Sequence, residues 1–200
     1  MYSYRIEQAI RAAAILHKSQ LRKGATPLPY ITHLMAVTMI LSDYTHDEDT
    51  IVGALLHDTL EDTDYTSEEI QEDFGGEVRE IVESLSEPQN TSDKKYTWLE
   101  QKQQYAKLLK KAPEKALMIS AADKIHNMRM IVDEYFDDHG RFLKDFQGTL
   151  DDRILMYQDI SNVLNNRLDN KIINEFNHVY TEYKNFILDV KKTKEKQEEF

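Results

Sequence analysis

Along this chain apolar residues recur at three- and four-residue steps, and no segment shows the strict alternation of a strand, so the pattern predicts helices throughout. The first runs from about Tyr4 to Leu21 and stops where "RKGATPLP" gathers one glycine and two prolines. A second follows "YITH" as "LMAVTMILSD", and a third, from about Asp47, carries "TIVGALLHD". In "TSEEIQEDFGG", Thr66 with Glu69 three places on forms a capping box, and the glycine pair ends that helix. The polar stretch "EPQNTSDKKY" has no periodicity and is expected to be a mobile loop. An amphipathic segment, "TWLEQKQQYAKLLKKA", precedes "PEKALMISAADKIHNMRMIV", whose proline suits a first helical turn. Beyond a break at "DDHGRF" two long helices are predicted, the second striped by Ile172, Ile173, Phe176, Val179, Tyr180, Tyr183, Phe186, Ile187 and Val190, with its tail "KKTKEKQEEF" frayed. The expected fold class is all-α.

Composition narrows the picture. Two hundred residues, 40% of them hydrophobic, suffice for one domain with a sizeable core, expected over residues 1–200. There is no cysteine, so disulfides and thiolate sites are excluded, and any metal must be held by nitrogen and oxygen. Charges interrupt the N-terminal apolar pattern and no run approaches the length of a membrane span, so a soluble, cytoplasmic protein without a membrane partner is expected. A formal charge of −11 repels polyanions. Nucleic acid is therefore not an expected partner, and a phosphorylated small molecule would need its own cationic pocket.

Candidate chemistry concentrates in "ALLHDTLED", where an apolar run ends in His57, Asp58, Glu61 and Asp62. Burying such groups unpaired costs several kcal/mol, and an ion among them would remove the cost. On a continuous helix His57 would stand over Glu61, and Asp58 over Glu61 and Asp62. A second cluster, "SAADKIHNMR", sets Asp123 and Asn127 one turn apart, with Ala121 and Ala122 small enough to admit another helix. His33 opens the second helix. Two histidines and two aspartates suit a hard octahedral divalent ion, such as manganese, magnesium or iron, better than a tetrahedral structural zinc. Singly, each has a plainer reading: a hydrogen-bonded helix end for His57 and Asp58, a salt bridge for Asp123, a helix start for His33. Their conjunction points to a metal.

Together "HKSQLRKG" from His17, "PYITH" ending at His33, "ALLHDTLEDT" from Ala54, "FGGEVREIV" from Phe74 and "AADKIHNMR" from Ala121 resemble the HD-domain phosphohydrolases. The resemblance is nearest to the hydrolase domain of the RelA/SpoT homologues and to the small alarmone hydrolases. It covers about Tyr4 to Ile131, the motif-bearing core, and is weak over the helical extension at about 141–200. It implies metal ligands at His33, His57, Asp58 and Asp123, with manganese the usual ion. It further implies catalytic carboxylates at Glu61 and Asp62, and nucleotide contacts from Arg22, Lys23 and Asn127. His17 and Gln20 would support the site from behind, Lys124 and Arg129 are lesser candidates for phosphate contact, and His46, His126, His139 and His178 receive no role. The implied reaction is hydrolysis of guanosine tetra- or pentaphosphate at the 3′ position, yielding GDP or GTP and pyrophosphate. Two departures bear on the substrate. The stretch between Arg22 and His33 is longer than in the bifunctional enzymes, and Met130 stands where several carry a small polar residue. Another nucleotide phosphohydrolase, acting on NADPH or a nucleoside monophosphate, and a non-catalytic nucleotide sensor stay open as alternatives.

Overall fold

Ser3 starts α1 (Tyr4–Leu16) by accepting the N–H of Ile6 on its side chain. The helix ends before the predicted Leu21 because the chain turns at His17 and folds back on itself. Arg22 N–H donates to the Leu28 carbonyl at 2.8 Å and Tyr30 N–H to that of Gln20 at 3.0 Å, partners taken across a loop and not along a helix. That loop delivers the chain to α2 (Ile31–Ser42), beside which Asp47 caps α3 (Glu48–Leu56). A computed structural model describes residues 2–24, 26–88, 94–146 and 148–198. Part of the expected mobile loop, residues 89–93, lies outside the described residues, as do 199–200 of the tail.

The apolar run of α3 does not continue as one helix. It stops at His57, and a four-residue turn, α4 (Thr59–Asp62), restarts after Asp58. The capping box at Thr66 and Glu69 is present and opens α5 (Ser67–Phe74). Gly75, at φ +91°, ends that helix in a conformation that favours glycine, and α6 (Gly76–Leu85) begins at once. Further capping boxes start α7 (Trp98–Leu109) at Thr97 and α10 (Leu150–Arg167) at Thr149. Between them run α8 (Glu114–Tyr135), which Pro113 precedes as its cap, and a short α9 (His139–Asp145) where the sequence suggested only a break. The last helix, α11 (Ile172–Glu198), continues through the lysine-rich tail expected to fray. Among the described residues there is no strand, only a lone bridge between Leu21 and Pro29. None of their helices is long and apolar enough to cross a membrane.

The central element is α8, which packs against α2, α3, α6, α10 and α11. Its Ala121 and Ala122 are fully buried and let neighbours approach, as the sequence suggested. Gly53 does the same for α3: a Cβ there would lie 2.8 Å from Cγ2 of Ile81 and 3.2 Å from Cδ1 of Ile119. Of the nine striped residues of α11 all but Ile173 are buried, Ile173 being partly so, and one apolar cluster runs from Ile6 of α1 to Val190 of α11. Helices from both ends of the chain thus brace α8, which carries Asp123 and Asn127.

Candidate metal centre and adjoining pocket

Three separate pieces of backbone bring the metal candidates together. His33 lies in the first turn of α2, His57 ends α3, Asp58 precedes α4, and Asp123 is midway along α8. Nε2 of His33 is 3.2 Å from Oδ1 of Asp123 and 3.6 Å from Oδ2 of Asp58. Nε2 of His57 is 3.2 Å from Oδ2 of Asp58 and 3.8 Å from Oδ1 of Asp123. Neighbouring residues on a helix point about 100° apart. The break after α3, with Asp58 at φ −96° and ψ −1°, lets His57 and Asp58 converge instead.

The donor set fits a divalent cation. His57 donates from Nδ1 to the Ala54 carbonyl at 2.8 Å, which leaves Nε2 as an electron-pair donor facing the carboxylates. That Nε2 is buried and has no hydrogen-bond partner. Ligand atoms of His33, His57 and Asp58 lie within 4.8 Å of one another, and all four residues offer nitrogen or oxygen. Without an ion the cluster holds its own countercharge. Burial works against a charged His57, but Asp58 and Asp123 outweigh it and push the imidazole up to about 9. Burial likewise opposes ionisation of both aspartates. The histidines overcome it at Asp58, and Lys124 with the histidines at Asp123, so both carboxyls sit below the usual range.

An outer ring of hydrogen bonds orients the donors. Tyr30 donates its hydroxyl to Oδ2 of Asp58 at 2.7 Å. Asp123 accepts from Nδ2 of Asn127 at 2.5 Å and from Nζ of Lys124 at 2.5 Å. Nδ1 of His33 lies 2.8 Å from Nδ1 of His126. If Nε2 of His33 is to offer its lone pair, Nδ1 carries the hydrogen and His126 accepts it; the tautomer follows from that requirement. Burial first, then the charge of His33, pushes His126 down to about 4, keeping it neutral. The sequence reading assigned His126 nothing, although its place three residues after Asp123 puts the two on neighbouring faces of α8.

The two catalytic candidates differ. Glu61 lines a cavity of about 40 Å³ together with His57, Asp58, Asp123 and Lys124. Its Oε1 accepts the Glu87 N–H at 2.7 Å, and burial, with the charge of Glu87 next, pushes it up to about 7. Asp62 is exposed, and its Oδ2 accepts from Nε2 of Gln20 at 2.8 Å. Gln20 in turn lies 2.6 Å from Nδ1 of His17, whose ring stacks on Tyr30 at 5.1 Å. The supporting pair expected behind the site therefore reaches Asp62.

Beside the cluster opens a pocket of about 470 Å³. Arg22, Lys23, Lys102, Lys124 and Arg153 supply positive charge to its wall; Tyr30, Trp98, Phe146 and Tyr157 supply aromatic surface, and Met130 also lines it. Lys23 donates to the Asp145 carbonyl at 2.8 Å. Arg153 is buried, its guanidinium 4.8 Å from the ring centre of Phe146 and 5.3 Å from those of Trp98 and Phe142. Arg129 is not in this wall: it pairs with Glu175 of α11 at 2.6 Å. Lys102, Arg153 and Tyr157 went unassigned in the sequence reading. A lone arginine three and four residues before Met156 and Tyr157, on the buried face of α10, was the available signal.

An all-α bundle with a two-histidine, two-aspartate cluster set beside a cationic pocket defines a metal-dependent phosphoester-processing class. Residues 9–142 match the HD domain family, and the chain belongs to it. It is 37% identical over 158 residues to the guanosine-3′,5′-bis(diphosphate) 3′-pyrophosphohydrolase MESH1 of Xenopus tropicalis, spanning 72% of this chain and 86% of that protein. The Homo sapiens protein of the same name is 35% identical over 156 residues, spanning 71% and 84%. A solved structure described as a metazoan ortholog of SpoT that hydrolyzes ppGpp aligns with a TM-score of 0.73 at 23% identity, covering 91% of this chain and 97% of that one. That last likeness is one of fold.

Proposed function

We propose that this HD-domain enzyme hydrolyses guanosine tetra- or pentaphosphate at the 3′ position, releasing pyrophosphate and leaving GDP or GTP. The observation that carries the reading is the Asn127 amide, which joins Arg22 of the pocket to Asp123 of the cluster and so sets a phosphate-binding cation beside a metal site. The names of the relatives supply the substrate.

In this reading His33, His57, Asp58 and Asp123 hold the ion, taken as manganese from the resemblance and from a purely nitrogen and oxygen donor set. When bound, the ion supplies a Lewis acid for the phosphoryl oxygens and makes a water more acidic. Glu61, its carboxylate held by the Glu87 N–H, would accept a proton from the attacking water and pass one on. The water oxygen bonds to the phosphorus on O3′, the bond from that phosphorus to O3′ breaks, and a proton passes to O3′ as pyrophosphate leaves. Asp62, braced by Gln20, orients the water from the rim. Arg22, Lys23 and Asn127 hold the nucleotide, Arg153 and Lys124 add charge toward its phosphates, and Trp98, Phe146 and Tyr157 offer rings to the base. A nucleotide substrate supports a cytoplasmic location.

The test is incubation of the purified protein with manganese and a panel of guanosine tetraphosphate, NADPH and nucleoside monophosphates, with products identified. GDP and pyrophosphate are expected. Orthophosphate as first product, or turnover of NADPH with the tetraphosphate untouched, overturns the reading.

A further inference from the structure

Glu87 stands where the two cavities meet, lining both the small one around Glu61 and the large one beside it. Its carboxylate is nearly buried and accepts from Nζ of Lys102 at 2.5 and 2.7 Å. Its backbone N–H donates to Glu61. A carboxylate is a poor wall for a pocket that receives a polyanion, because it repels phosphate and occupies an ammonium that could bind it. Lys124, the other cation of that corner, is committed to Asp123. Among the described residues, Lys102 pairs with Glu87 alone.

We propose that Lys102 is a phosphate-binding residue which Glu87 holds in reserve. With the pocket empty the two close on each other, and an incoming phosphate takes Nζ from the carboxylate. Lysine suits the exchange: a compact ammonium on a flexible stem can swing from one anion to the other, with three donors to offer. The exchange need not disturb Glu61, because the hydrogen bond that holds it comes from the Glu87 backbone and not from the side chain that lets go. It also makes the pair a selector. A ligand must outcompete a carboxylate already in place, so a densely charged diphosphate gains more from Lys102 than a single phosphate does. The closed pair lowers the apparent affinity by the fraction of molecules in which Lys102 is occupied.

This proposal rests on the pocket being a site for a phosphorylated nucleotide, and the test separates the two. Glu87→Gln keeps the backbone N–H and the side chain's size while removing the charge. The KM for guanosine tetraphosphate should fall about two- to fivefold, the range of a partly exposed ion pair. In that background Lys102→Gln should raise KM about tenfold or more, and Lys102→Arg should restore most of the loss. The same order should appear when inorganic pyrophosphate is titrated calorimetrically into the manganese-loaded variants. If no tetraphosphate is turned over, the proposed substrate fails while the pyrophosphate titration still reads the pair. A KM and pyrophosphate affinity unmoved or worsened by Glu87→Gln, or a Glu87→Gln/Lys102→Gln double variant binding as well as Glu87→Gln alone, overturns the proposal.

Discussion

Nη2 of Arg22 donates to Oδ1 of Asn127 at 2.8 Å across 105 positions of the chain. The same amide donates to Asp123, so one side chain touches both the pocket and the histidine and aspartate cluster proposed to hold the ion. Asn127→Ala should therefore raise KM and also weaken manganese binding, each by roughly 10- to 100-fold, the usual cost of losing an outer partner of a metal ligand. Kinetics and calorimetric manganese titration read the two effects separately. A change in KM with metal affinity intact would confine Asn127 to the pocket.

Glu61→Gln and Asp58→Asn should part company. The first keeps size and hydrogen bonding but cannot take a proton, so it should bind manganese nearly as the parent does while losing on the order of 10² or more in turnover. The second alters a charged donor of the cluster, so metal affinity, activity and metal-dependent thermal stability should fall together. Equal loss of metal in both variants would make Glu61 a ligand.

The metal-free protein should respond to pH through His57. Its pKa is raised from 6.5 to about 9, so the stability it contributes is fully present below pH about 6.5 and is lost as pH rises through about 9. The midpoint of thermal unfolding without metal should fall across that window, and apparent manganese affinity should climb across it as the ion displaces a proton. Glu61 sets a second dependence. It must be ionised to act as a base, and a bound cation lowers its pKa, so the acid limb of kcat should lie at or below pH about 7. A flat unfolding profile between pH 6.5 and 9 would contradict the charged cluster.

Arg153→Met preserves much of the packing among Trp98, Phe142 and Phe146 while removing the charge. The KM should rise about tenfold, with manganese affinity unchanged and the unfolding midpoint within a few degrees of the parent. An unaltered KM would mean that Arg153 serves packing alone.

The helices were legible because their signals are local: the capping box at Thr66, the stripe on α11 and the buried alanines of α8 all appear where periodicity put them. The cluster candidates were legible because His57 and Asp58 are adjacent and the remaining motifs fit a familiar order. What escaped depends on distance in sequence or on an interrupted helix. Stacking His57 over Glu61 assumed a continuous helix, and the break at Asp58 is a backbone angle that no residue type announces. His126 gains its part only from a partner 93 positions away, and Arg153 from rings on α7 and beside α9. Arg129, equally basic and close to Asp123 in sequence, turns outward because Glu175 waits on α11.

The residues that match the HD domain end at 142, before α10 brings Arg153 and Tyr157 to the pocket. The wall of the pocket therefore comes from both sides of that limit, Arg22, Lys23, Lys102 and Asn127 from within the matched stretch and Arg153 and Tyr157 from beyond it. A lineage that varied α10 alone would remodel one wall of the pocket while leaving the turn at Asp58 and the four residues gathered around it as they stand.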